Sequence, residues 1–176
     1  MSLIKYPRTW HLPWSPGLSS DDRLIKDLSG FEGQRVIATA KMDGENTTLT
    51  SNICHARSLD SKPHPSRTWV KALHGQIARD IPQGWRICGE NLYAQHSIAY
   101  QNLESYFLVF SIWNEGNVCL SWDDTSLWAQ LLGLHTVPIL YDDIWDEDKI
   151  KNLYQPIHNG YPCEGYVVRV ADAFQF

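Results

Sequence analysis

The sequence predicts an α+β protein, mainly antiparallel sheet with flanking helices. Short runs rich in Val, Ile, Thr and aromatic residues recur along the chain, several in adjacent pairs joined by tight-turn residues. Only four brief stretches have helical spacing or helix-start signals, and they interrupt the strands rather than alternate with them. No internal repeat, low-complexity tract or linker divides the chain, and 176 residues suit one domain with a buried core.

The lead-in, with Pro7, Pro13, Pro16 and Gly17, reads as irregular. "SSDDRLIKDLSG" reads as a short helix capped by Ser20 or Asp21, with Gly30 past its end. "QRVIATAK" and "TTLTSNICHAR" read as two strands forming a hairpin, with Asp43-Gly44 at the turn. After a polar, proline-broken piece, "SRTWVKALHGQIARDI" places Trp69, Leu73 and Ile77 on one helical stripe, with Ser66 as a cap. "WRICGENLY", "SYFLVFSIW" and "NVCLSW" are strands, the last pair turned by Gly116-Asn117. "DDTSLWAQLLGL" and "DEDKIKNLY" open with acids ahead of apolar residues, as helices do. "CEGYVVRVADAFQF" closes the chain as a strand.

Composition narrows the function. An apolar fraction of 43% and a charged fraction of 20% are those of a folded globular chain. No apolar run approaches the roughly 18 residues of a membrane span, and the N-terminus lacks the apolar core of a signal peptide, so the expected location is the cytoplasm, with no membrane partner. The four cysteines lie at wide spacings without a C-x-x-C pair, which points to small apolar residues rather than zinc ligands or a disulfide framework. A net charge of -5 opposes bulk electrostatic gripping of nucleic acid, so any such contact uses a local patch.

Chemistry concentrates in "VIATAKMDGENTTL", where Lys41 ends a clean strand and is followed by Asp43, Gly44, Glu45 and Asn46. Apolar neighbours could desolvate the ammonium and make the amine a nucleophile; a lone lysine at a strand edge more often snorkels to solvent. Two further acid and glycine pairs at strand boundaries, Gly89-Glu90 and Glu164-Gly165, suggest a cleft around that lysine. Carboxylates there suit a hard cation such as magnesium, held partly by substrate phosphates.

These strings resemble the motifs of the covalent nucleotidyltransferases, which include ATP-dependent RNA and DNA ligases and capping enzymes. "KMDGEN" looks like motif I, "HARS" like the arginine motif that follows it, "CGENLYA" like motif III, "YFLVFSIW" like motif IIIa and "CEGYVV" like motif IV. The wording of "GENLYA" and "HLPWSPG" is more similar to RNA ligases than to the other branches. The resemblance implies the nucleotidyltransferase (ATP-grasp-like) domain of ligases, with Lys41 carrying AMP from ATP. It assigns Ala40, Asp43, Gly44, Asn46, Arg57, Glu90 and Phe110 to the nucleotide, and Glu164 with Glu90 to Mg2+ or Mn2+. The implied activity joins 5'-phosphate to 3'-hydroxyl ends of RNA or a nicked polynucleotide. The alternatives are a noncatalytic nucleotide or RNA-end binding module and a capping-type guanylyltransferase.

Individual residues keep their plainer readings. Phe110 suits the core as well as adenine stacking, Arg57 suits a surface ion pair as well as a phosphate, and Glu90 suits a turn. His55 and Ser58 flank Arg57 as neighbours of the substrate end. One departure stands out: the family's motif V, K-x-K, is missing, because Gly165 to Phe176 contain no lysine and only Arg169 as a cation. Each lost phosphate contact costs about 2 to 4 kcal/mol of transition-state stabilisation. The expectation is therefore one adenylation domain over residues 1–176, truncated at its C-terminus.

Overall fold

The computed structural model describes residues 3–16, 19–59, 64–158 and 160–175, so Gly17 and residues 60–63 of the proline-broken stretch after Arg57 lie outside the described residues. The first strand, β1 (Arg35–Ala40), is buried at every position after Arg35. Its side chains alternate as a pleat requires. Val36 and Ala38 pack with Ile150, Trp145 and Tyr141 on one face, while Ile37 joins Leu92, Leu108, Val137 and Trp122 on the other. A strand apolar on both faces belongs at the centre of a sheet. It lies between β11 (Tyr166–Val170) and β8 (Ile139–Ile144), antiparallel to both.

That arrangement overturns the hairpin expected across Asp43-Gly44. Both hydrogen-bonding edges of β1 are taken by β8 and β11, so β2 (Glu45–Leu49) cannot pair with it. Instead β2 crosses into a second sheet, between β3 (Cys54–Ala56) and β4 (Arg86–Asn91). "TTLTSNICHAR" is accordingly two strands, turned where Thr50 and Ile53 hydrogen-bond. The second sheet runs β12 (Phe174–Gln175), β6 (Val118–Cys119), β5 (Phe107–Trp113), β4, β2, β3, and β7 (His135–Thr136) adds parallel to β5. A small separate hairpin pairs β9 (Ile157–His158) with β10 (Tyr161–Pro162).

Helices α1 (Thr68–Ile77) and α2 (Trp122–Leu131) cover the outer face of the large sheet. Val70, Ile77 and Ile81 from the α1 region and Ala129 of α2 pack there against Leu49, Ile87, Phe107, Val109 and Ile112. Short α3 (Glu147–Lys151) buries Ile150 against the small sheet. Ser121 and Asp146 cap α2 and α3. Ser66 does not cap α1; its hydroxyl meets His64 Nδ1, and that ring nitrogen accepts from the Ser66 amide at the start of a preceding 3-10 turn.

The helix expected over "SSDDRLIKDLSG" is absent, apart from a 3-10 turn at Ser29–Phe31. His11 and Leu24 bridge in parallel, with His11 N donating to Arg23 O and Ile25 N to His11 O. An isolated helix of that length is marginal, and pairing with the lead-in satisfies the same backbone groups. β8 went unread because "ILYDDI" carries two aspartates and is largely exposed; Asp142 is held by the Arg35 guanidinium (2.7 Å). All four cysteines are free, Cys88 and Cys119 buried and the other two half-buried. Among the described residues no helix is long and apolar enough to cross a membrane.

Candidate active site

Lys41 lies where the two sheets meet. Its backbone is pinned on one side by its amide donating to Gly165 O (2.9 Å) and on the other by Ala40 N donating to Pro138 O (2.9 Å). Its Nζ contacts Glu164 Oε1. The side chain is 51% exposed, so apolar neighbours do not strip the ammonium of water as the strand-end setting suggested. A carboxylate holds it instead.

The chain after Lys41 is drawn tightly against β4. A Cβ on Gly44 would come within 2.5 Å of Asn91 O and 2.8 Å of Leu92 Cδ2, so only glycine permits this approach. The closeness lets Gly44 N donate to Glu90 Oε1 (3.1 Å). Burial pushes the Glu90 carboxyl up to about 7; the Gly44 amide and Lys41 pull it down, while Glu164 and Asp43 push it further up. Glu90, Glu164 and Lys41 thus feel one another electrostatically across the two sheets.

Asp43 does not face the lysine with its carboxylate. Oδ2 accepts from Ser97 N (2.7 Å) and Ile98 N (2.9 Å), and the Asp43 amide donates to the Tyr100 hydroxyl (2.9 Å). The long connection from β4 to β5 is therefore tied to the Lys41 turn. Tyr100, Ser97 and Ile98 carry no chemical signature in the sequence, and only this packing reveals them. Tyr100 also lines a cavity of about 390 Å³ beside Lys41, walled by Ala40, Met42, Leu108, Pro138 and Cys163.

Asn46 lies opposite Glu90 in the β2–β4 register, and its Oδ1 is buried without a hydrogen-bond partner among the described residues. A buried orphan acceptor beside Glu90 fits a ligand donor. Glu45, one residue earlier, points to the other face of the sheet, where Arg67 takes its carboxylate (2.7 and 2.5 Å). Arg57 and Phe110 sit together on a flank around Tyr6 of the lead-in: Arg57 Nε donates to Tyr6 O (3.2 Å), and the Tyr6 and Phe110 rings meet edge to face at 5.1 Å. Phe110 is half-buried between core clusters and does not line the Lys41 cavity. His55 Nδ1 is engaged with Ala56 O. Arg169, the lone cation after Glu164, is spent on packing: it bonds Val170 O, Leu120 O and Cys119 Sγ and lies over the Phe174 ring.

The donor set suits a hard divalent cation only in part. Glu90 and Glu164 offer carboxylate oxygens, and Oε2 of Glu164 is left over by the lysine contact. No group of three or more potential ligand side chains is gathered among the described residues, so a cation's remaining ligands would be water and phosphate oxygens.

The α+β core, mostly antiparallel sheet with few helices, matches the fold of solved RNA ligase structures. An RNA ligase of Naegleria gruberi, an apo aspartate-to-alanine variant, matches with a TM-score of 0.59 at 17% identity, covering 83% of this chain and 50% of that one. A lysine-to-alanine variant of the same ligase with ATP and Mn gives 0.59 at 18%, covering 83% and 49%. A glutamate-to-alanine variant with AMP and Mn gives 0.57 at 16%, covering 83% and 50%. The chain thus spans about half the length of these structures. No curated protein matches the chain significantly. The RNA ligase family model matches residues 34–176, and the chain belongs to that family.

Proposed function

We propose that these residues form the nucleotide-transferring part of an ATP-dependent RNA ligase. The observation that carries this reading is the contact of Lys41 with Glu164 beside Glu90, each delivered by a different strand boundary. In this reading Lys41 Nζ attacks the α-phosphate of ATP. An N–P bond forms, the bond to the leaving pyrophosphate breaks, and AMP stays on the lysine. Attack requires an amine lone pair, so the ammonium must first release a proton, and the touching carboxylate of Glu164 is the acceptor at hand. AMP then passes to a 5'-phosphate, and a 3'-hydroxyl displaces it to seal the strand.

Catalysis of this kind rests on positioning and on compensation of phosphate charge. Glu90 and Glu164 would hold Mg2+ or Mn2+, which when bound neutralises developing charge on phosphate oxygens. Glu90 also holds the Gly44 amide, which fixes the turn behind Lys41. Asn46 Oδ1 would accept from the nucleotide, and the cavity beside Ala40 and Met42 would take the base. Arg57 and Phe110 would act from the flank around Tyr6.

The test is incubation of the full natural polypeptide containing these residues with α-labelled ATP and Mg2+ or Mn2+. A covalent protein adduct that survives denaturation and alkali, is released by acid as an N–P bond requires, and disappears in Lys41→Ala is expected. An unlabelled wild type, or a Lys41→Ala protein labelled equally well, defeats the reading; reversible ATP binding without adduct would make the chain a nucleotide-binding module instead.

A further inference from the structure

Side chains alternate across a strand, so Glu45 and Asn91, each one residue from Asn46 and Glu90, face the opposite side of the large sheet. There they border a second cavity, of about 270 Å³, whose walls also include His64, Arg67, Gln95 and His96. Three aromatic rings chain together close by: Trp69 of α1 meets Tyr106 at 5.4 Å and 84°, and Tyr106 meets Tyr93 at 5.5 Å and 89°. Tyr93 and Tyr106 are 48% and 44% exposed, which leaves aromatic surface open to a stacking partner.

The charge of this recess differs from that of the chain as a whole. Its one carboxylate among the lining residues, Glu45, is closed onto Arg67, the two side chains 25% and 12% exposed. His64 and His96 are further ionisable lining residues, and Lys71 lies exposed in α1, four residues on from Arg67. Gln95 and His96 are exposed, and among the described residues their side chains make no hydrogen bond, so they are available to a base edge. Exposed aromatic rings beside amide and imidazole groups, with the one carboxylate among the described lining residues held by Arg67, are the features that recognise unpaired nucleotides. The same two strands, β2 and β4, carry this recess on one face and Asn46 and Glu90 on the other.

We propose that this recess and its aromatic rim bind an unpaired nucleotide of the RNA strand whose end is brought to Lys41. A base would stack on Tyr93 or Tyr106, with its edge read by Gln95 and His96 and its phosphate left facing Lys71. The proposal rests on the ligase reading for the identity of the strand, and it is tested separately from the chemistry.

The experiment measures binding of a fluorescent, 5'-phosphorylated single-stranded RNA oligonucleotide to the full chain, with ATP labelling of Lys41 followed in parallel. Tyr93→Leu and Tyr106→Leu should each weaken binding about fivefold or more, as loss of one stacked base would. Tyr93→Phe should bind like wild type, because the ring face is kept, and Tyr154→Leu, at an exposed tyrosine elsewhere, should change nothing. Labelling should be unaffected in all four. Wild type that fails to bind the oligonucleotide, or Leu variants that bind as tightly as wild type, overturns the proposal. Equal losses in Tyr93→Phe and Tyr93→Leu also overturn it, since that pattern reports folding rather than stacking. Loss of labelling in the wild type alone sinks the ligase reading and leaves the binding comparison intact.

Discussion

Glu90 is the residue at which function should cost stability, and Glu90→Gln measures that cost. Partial burial pushes the carboxyl up to about 7 in the fold against an ordinary 4.5. A difference of that size corresponds to about 3 kcal/mol at roughly 1.4 kcal/mol per pH unit. The sign follows from the raised value. Below 4.5 the carboxyl is protonated in both states and contributes no penalty. As pH climbs from 4.5 to about 7, the unfolded chain ionises first, and the folded protein loses stability until both states are charged. Glutamine has nothing to ionise, and its side-chain oxygen can still accept from Gly44 N. Glu90→Gln should therefore match wild type toward pH 4.5 and exceed it by about 3 kcal/mol above pH 7, a large share of an ordinary domain's stability. Denaturant unfolding of both proteins across this range checks it, since other titrating groups cancel in the difference. A difference that stays flat with pH, or a variant less stable than wild type above pH 7, would refute the argument from burial. The same variant should lose adenylate transfer.

Two further outcomes test the packing around the site. Gly89→Ala places a Cβ 2.6 Å from Leu108 O and from the ring of fully buried Phe107, neither of which can yield cheaply; the cost should be about 3 kcal/mol, seen as a thermal midpoint lower by roughly 10 °C. Asn46→Ala removes an acceptor that has no partner among the described residues, so stability should stay within about 1 kcal/mol of wild type while calorimetric ATP affinity falls about tenfold.

The legible parts of this protein were those written in local pattern. β1, β4 and β5 are dense in apolar and β-branched residues, and α1, α2 and α3 carry their stripe or their acidic first turns, so each was visible without coordinates. β8 was not, because its aspartates are tolerated only at an exposed edge that Arg35 neutralises. The failed helix near the N-terminus shows the same limit: its backbone groups found partners on His11, which no local pattern encodes. Within the site, the spacing of "KMDGEN", "CGEN" and "CEG" picked out Lys41, Gly44, Glu90 and Glu164, which the fold does bring together. The Asp43 bonds to Ser97, Ile98 and Tyr100 left no trace in sequence, since two of the three use backbone amides that any residue supplies.

By itself the sequence determined the class, the order of the motifs and the residue types available to handle phosphate, because periodicity, turn chemistry and short strings are properties of neighbouring residues. Only the tertiary structure decided that β1 and β2 belong to different sheets, and that Lys41 meets a carboxylate more than a hundred residues away rather than an apolar wall. The reason is a matter of hydrogen-bonding edges. A strand has two, and whether β11 and β8 or the next strand in the chain fills those of β1 is settled by the free energy of the whole packed core.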